Sequence, residues 1–162
     1  MKVQNPKFKI LNNIKIQMKK TIKKFRVAQK LFLFNDRDEV LILRFSEQNI
    51  PETAGLWDFP GGKVEFAESL GDGLRREMKE EVGEVEYEVG ELELVWDWYL
   101  DRDPSIRVVC VGYGAKYLGG EIELNQEHDE FRWIQVNDLG ECNWFEADRR
   151  AVNYLKEKYG KK

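Results

Sequence analysis

The stretch LWDFPGGKVEFAESLGDGLRREMKEEVGE spans residues 56–84 and decides how the rest of the chain is read. An aromatic-Pro-Gly-Gly turn precedes a segment from Ser69 to Val82 whose spacing predicts a helix. At about 100° per residue, Leu70, Leu74, Met78, Val82 and Val85 fall on one apolar stripe. Glu77, Glu80 and Glu81 gather on the adjoining face, because separations of three and four are neighbours on a helix. Glu81 is angularly close to Leu74 and Met78 and so points toward the packed side. Arg76 lies on the far flank, one turn before Glu80, where it can hold a carboxylate.

Three anions within two turns repel. Each like-charged pair costs about 0.2–0.5 kcal/mol on an exposed helix and more at the margin of a core, where an unpaired buried charge is expensive. A divalent cation among them removes the conflict. Carboxylate oxygens with no Cys or His nearby favour Mg²⁺, with Mn²⁺ as the substitute, over Zn²⁺. The plainer reading is an acidic solvated face, since EEVGEVEYEVGELE continues past the helix. The glycine turn one loop upstream weighs against that reading. Pro60-Gly61-Gly62 lets backbone approach where a side chain would block it.

Outward from this stretch, 162 residues suit one domain with a sizeable core. A hydrophobic share of 42% beside 35% charged residues excludes a disordered tail. A net charge of −4 is unlike a generic DNA binder. Cys110 and Cys142 are far apart and read as free thiols in a reducing compartment. With no apolar run of bilayer length and no signal-peptide pattern, the expected location is the cytoplasm. Residues 1–24 carry eight lysines and no acid, and are read as a basic extension to a domain over residues 25–162. That extension is an arm that touches nucleic acid or anionic lipid, a solvated segment, an extra edge element or leader residues.

FRVAQKLFLF and EVLILRF, joined by NDRD, predict a β-hairpin. WDF is a short strand, EVEYEVGELELVWDWYL and IRVVCVGYGAKYL are long strands about DRDPS, and EFRWIQV is another. In NWFEADRRAVNYLKEKY, the recurrence of Phe145, Val152 and Leu155 predicts a terminal helix. The expectation is one α/β domain with a mixed or antiparallel sheet.

The decisive stretch resembles the Nudix hydrolases. Gly62 is followed after five residues by Glu68, and after seven more by Arg76-Glu77-Met78-Lys79-Glu80-Glu81-Val82-Gly83. These match every fixed position of that family's box. Glu84 departs from it, standing where an apolar residue is usual, with Val85 next to it. LWDFPGGKVE is similar to the box entry of the family's nucleoside triphosphate branch, and EHDEFRWIQVNDL to its usual closing strand.

The resemblance implies an α/β/α sandwich around a mixed β-sheet and metal-dependent hydrolysis of a nucleoside diphosphate linked to another group. It implies Glu77, Glu80, Glu81 and the Gly61 carbonyl as metal ligands, Arg76 as the residue that orients the glutamates, and Glu68 as its support. Glu68 is also a helix N-terminal acid facing the dipole. The general base is Glu77 or a later loop acid, Glu127 with Glu130 behind it. His128 reads as a solvent-exposed bystander. Lys63 is either a phosphate contact or a surface lysine, and Trp57 either stacks on a base or fills core.

The box entry favours a nucleoside triphosphate, split to monophosphate and pyrophosphate. Alternatives are a dinucleoside polyphosphate, since Tyr99 is near that branch's tyrosine position, and a nucleotide-binding sensor without catalysis. Pro104 lies beyond the proline spacing of the ADP-sugar branch. The implied partner is thus a nucleotide, with no membrane or stable nucleic-acid partner, and a homodimer is compatible.

Overall fold

The computed structural model describes residues 24–48 and 51–160. The basic extension therefore lies almost wholly outside the described residues. Among the described residues six strands form one sheet: β1 (Lys24–Phe34), β2 (Glu39–Phe45), β3 (Trp57–Asp58), β4 (Glu86–Leu100), β5 (Asp103–Gly119) and β6 (His128–Gln135). Two α-helices, α1 (Leu70–Val82) and α2 (Arg149–Tyr159), cover its faces. The order is β3-β2-β1-β5-β4, with β6 added along β2. β1 runs parallel to β5, and the other pairs are antiparallel. The sheet is mixed, as expected.

Alternation along the central strands builds both layers. Leu31 and Leu33 of β1, with Leu41 and Leu43 of β2, pack on one face against Leu74, Met78 and Val82 of α1. Phe32, Val40 and Ile42 point the other way, into a larger core with Phe59, Trp96, Trp144 and Val152 and Leu155 of α2. Opposite faces receive alternate residues because the strand period is two. The result is the helix–sheet–helix sandwich.

The predicted hairpin forms only at its turn. Asn35 N–H donates to the Glu39 carbonyl at 3.0 Å, and Asn35 Oδ1 accepts from the Arg37 and Glu39 amides. Beyond it only Phe34 and Val40 pair. β2 instead runs beside β6 from Glu39 to Phe45. The β1 edge is taken by the glycine turn: Gln29 N–H donates to Gly62 O and Leu31 N–H to Pro60 O, both at 2.8 Å.

Helix α1 starts one residue later than predicted. Ser69 is its N-cap, and its hydroxyl accepts from Asp72 N–H at 3.1 Å. Gly83 ends it at φ 81°, a conformation suited to glycine. Leu70 is 46% exposed and drops out of the buried stripe, whereas Met78 is 1% exposed. At the helix exit Glu84 is exposed and pairs with Lys79, and Val85 packs against the core in its place. Helix α2 is shorter than its sequence pattern: Phe145 precedes it, and the 3₁₀ turn Glu146–Asp148 leads in.

His128 corrects its expected position. It begins β6, is 4% exposed, and stacks on Phe45 at 5.2 Å between centroids. The stacking partner becomes available only when β6 is laid along β2. Burial pushes its pKa down to about 4, since neither ring nitrogen has a hydrogen-bond partner among the described residues.

Two expectations follow from this packing. Met78→Ala should cost ~2–5 kcal/mol in urea unfolding, and Leu70→Ala no more than ~0.5 kcal/mol. For His128 the folded pKa lies below the unfolded value, so the unfolded chain takes up the proton first as pH falls. Its stabilising share is complete above the ordinary pKa of about 6.5 and is lost toward about pH 4. Between about pH 7 and pH 5 wild type should lose about 2 kcal/mol more than His128→Leu. Equal pH slopes in the two proteins would remove this assignment.

Candidate active site

The site is built where β1, the turn after β3 and helix α1 meet. Gly61 has φ 117°, and a Cβ there would stand 2.4 Å from the Gln29 carbonyl oxygen. A Cβ on Gly62 would stand 2.4 Å from Glu77 Oε2. Both glycines are required by close approach, one to a strand and one to a carboxylate.

Lys30 ties this turn to the sheet. Its ammonium donates to Asp58 Oδ2 at 2.5 Å, Phe59 O at 2.9 Å and Gly61 O at 2.8 Å. Gly61 N–H in turn donates to Glu81 Oε2 at 2.6 Å. The peptide groups around one glycine thus engage a buried ammonium on one side and a buried carboxylate on the other. Burial alone would lower the Lys30 pKa, but Asp58, Asp148 and Glu81 hold it well above the usual lysine range.

Arg76 organises the second half. It grips Glu68 with two nitrogens, Nε to Oε2 at 3.0 Å and Nη2 to Oε1 at 2.8 Å. Nη1 reaches Glu77 Oε1 at 2.9 Å and Glu80 Oε2 at 3.3 Å, and Nη2 donates to the Lys63 carbonyl at 3.0 Å. A bidentate guanidinium–carboxylate pair fixes direction as well as charge. Glu68 therefore braces Arg76 while Ser69 caps the helix. Because Arg76 donates to it, Glu68 sits below the usual carboxylate range.

The glutamates differ in setting. Glu81 is 6% exposed, and burial pushes its pKa up to about 8 against the opposing pull of Lys30 and the Gly61 amide. Burial also raises Glu77, with Arg76 opposing it. The Glu80 side chain is 55% exposed. Two raised carboxylates beside hard oxygen donors fit a divalent cation, which would favour their charged forms. Glu77, Glu80, Glu81 and the Gly61 carbonyl are the groups that would hold one. Among the described residues, no three acidic, His or Cys side chains form a ready-made cage. Arg76 takes one oxygen of Glu77 and one of Glu80, which leaves the second oxygen of each without an Arg76 contact.

Other sequence candidates lie further out. Lys63 is exposed, and burial of its amino group followed by Arg26 and Arg102 lowers its pKa. Trp57 is 5% exposed, with the Arg132 guanidinium 4.7 Å and that of Arg44 5.9 Å from its ring centroid. Glu127 is exposed in the turn before β6, and its backbone carbonyl accepts from Ser46 N–H at 2.8 Å. Glu130 pairs with Arg44 and Arg132. Among the described residues, no hydrogen bond or ion pair links the Glu127 carboxylate to the cluster.

Three buried groups escaped sequence reasoning: Lys30, Asp58 and Asp148. Asp148 is fully buried beside Asp58, and burial followed by the Asp58 charge raises its pKa well above the carboxylate range. A signal for Lys30 existed. A lysine inside the apolar run VAQKLFLF must be paired if the strand is central.

Comparison with known proteins agrees with this geometry. The family model described as NUDIX domain matches residues 24–155. The chain is 36% identical over 103 residues to the putative 8-oxo-dGTP diphosphatase 2 of Mycobacterium tuberculosis, covering 61% of this chain and 67% of that one. It is 30% identical over 152 residues to the ADP-ribose pyrophosphatase of Methanocaldococcus jannaschii, covering 90% and 86%. Among solved structures, the MutT protein of Methanosarcina mazei Go1 superposes with a TM-score of 0.71 at 28% identity, over 85% of this chain and 97% of that one. With its box residues gathered between a strand-bound glycine turn and one helix, the chain belongs to the Nudix family of hydrolases.

Proposed function

We propose that this Nudix hydrolase acts on nucleoside triphosphates, normal or oxidised, cleaving between the α and β phosphates to give monophosphate and pyrophosphate. The observation that supports this most is the juxtaposition of the glycine turn with Glu77, Glu80 and Glu81 under the control of Arg76. Three carboxylates repel a polyphosphate unless cations lie between them. A divalent cation, Mg²⁺ or Mn²⁺, bound there would neutralise phosphate charge and stabilise the leaving oxygen.

The chain's own residues supply the rest. Arg76 occupies Glu77 Oε1, leaving Oε2 beside Gly62 as the oxygen able to accept a proton from an attacking water. Its burial, which raises its proton affinity, suits a general base. Glu127 is the second candidate for that role, brought in by movement of its exposed turn. Lys63, flanking the turn, is suited to a phosphate oxygen. Trp57, a core residue with the Arg132 and Arg44 guanidinium groups over its ring, offers a base only the small part of its surface that remains exposed.

The similarity to an 8-oxo-dGTP diphosphatase supports the triphosphate reading. A second reading, hydrolysis of ADP-ribose, is favoured by the relative aligned over 90% of this chain. Both reactions break a pyrophosphate bond at the same cluster, so product analysis over a panel of dNTPs, 8-oxo-dGTP, ADP-ribose and dinucleoside polyphosphates separates them. With a nucleoside triphosphate, chromatography should show monophosphate and pyrophosphate, with no diphosphate. Diphosphate and orthophosphate as primary products would overturn the proposed bond, and preference for ADP-ribose would install the second reading.

Glu80→Gln and Glu81→Gln should each lower turnover by about a hundredfold or more while circular dichroism stays native. Near wild-type turnover in both at saturating Mg²⁺ would refute the cluster's role. A larger kcat loss in Glu77→Gln than in Glu127→Gln would assign the base to Glu77, and the reverse order would assign it to Glu127.

A further inference from the structure

Lys30 stands outside every residue that the box motif singles out, yet its buried ammonium makes three hydrogen bonds to the turn that carries the site. It lies mid-strand in β1 and is 7% exposed. Its three acceptors come from consecutive parts of one loop: the Asp58 side chain and the Phe59 and Gly61 carbonyls. An ammonium has three N–H donors, and here all three are matched. Three oxygens around one cation is the pattern a bound metal ion imposes on a loop. In this chain a covalently tethered cation imposes it.

The consequence reaches the carboxylates through a single residue. Gly61 O is held by Lys30, and Gly61 N–H is held by Glu81 Oε2. At φ 117°, with β1 backbone close behind it, Gly61 has little room to reorient. Fixing the carbonyl therefore helps fix the adjacent amide, and with it the oxygen of Glu81 that faces the turn. A carbonyl oxygen has two acceptor positions, so the Lys30 contact leaves one available.

We propose that Lys30 is a positioning residue: a built-in cation that holds residues 58–61 in the shape that presents Gly61 and Glu81 to a divalent cation. The proposal rests on the assignment of Glu77, Glu80 and Glu81 as the cation site, and it makes a prediction opposite in sign to simple electrostatics. Coulomb's law says that removing a positive charge near carboxylates tightens their hold on Mn²⁺. Loss of the loop anchor says that the hold weakens.

The test uses the full chain without nucleotide. Mn²⁺ affinity is read from the free-ion signal in electron paramagnetic resonance, and Gly61 N–H exchange is followed by NMR. The main variant is Lys30→Met/Asp58→Asn, which removes one charge of each sign and leaves no orphaned ion from the pair. Its Mn²⁺ Kd should rise about tenfold or more, as loss of an outer support of a metal site does. Gly61 N–H should exchange faster while the Val152 and Leu155 amides, in the buried part of α2 and away from the turn, keep their rates. Lys30→Met alone should also bind Mn²⁺ more weakly than wild type.

Unchanged or tighter Mn²⁺ binding in the folded double variant would overturn the proposal and leave the cation site standing. A wild type that takes up no Mn²⁺ would bring down the cation assignment and this inference together. Should neither variant fold, wild-type exchange decides: Gly61 N–H should be as protected as the α2 amides, and rapid local exchange there would overturn the anchor.

Discussion

The backbone of β1 hydrogen-bonds to a loop where a neighbouring strand would be expected. Gln29 and Leu31 donate to Gly62 and Pro60 along the edge that faces away from β5. Everything functional in the molecule descends from this substitution. It keeps β1 and β2 from pairing beyond their turn, brings the glycine turn into contact with the buried half of β1, and places that turn at the α1 glutamates. A second strand at the same edge would have satisfied the same backbone groups, but would have left no loop amide to meet Glu81.

Electrostatics then divides the site into two anchored halves. Arg76 is shared by Glu68, Glu77 and Glu80 at the solvent side. Lys30 is bound by Asp58 and two carbonyls at the buried side, with Glu81 and Asp148 nearby. Each half offsets its own acids with one internal base, which is how so many carboxylates coexist in so small a volume. The two halves meet at the glycine pair. Gly62 abuts Glu77 and Gly61 bonds Glu81, so a side chain at either position would separate them.

The same logic explains why the acids remain responsive. Glu77 and Glu81 have raised pKa values because burial disfavours their charge, and the two bases oppose that only in part. Groups in this condition are poised to change partners when a stronger cation arrives. The strands supply the frame, and Gly61 and Arg76 set the directions of Glu81 and Glu77 within it. The contrast with His128 is instructive, since it is buried without any counter-charge in contact and simply stays neutral.

Several features were legible in the sequence because they depend on local spacing. The helix, its cap region, the inward tilt of Glu81 and the reach of Arg76 toward Glu80 all follow from the 3.6-residue period, and the spacing from Gly62 to Glu81 marked the family. The apolar runs of β1 and β2 marked them as strands, and only the structure shows which residues face which helix. What sequence could not supply is which edges meet. The strand partners of β1 and β2, the burial of His128 under Phe45, and the convergence of Lys30, Asp58 and Asp148 join positions up to about 120 residues apart. Periodicity states which side of an element is apolar, but the pairing of backbone edges and the burial of a charge are settled only when distant segments compete for the same space.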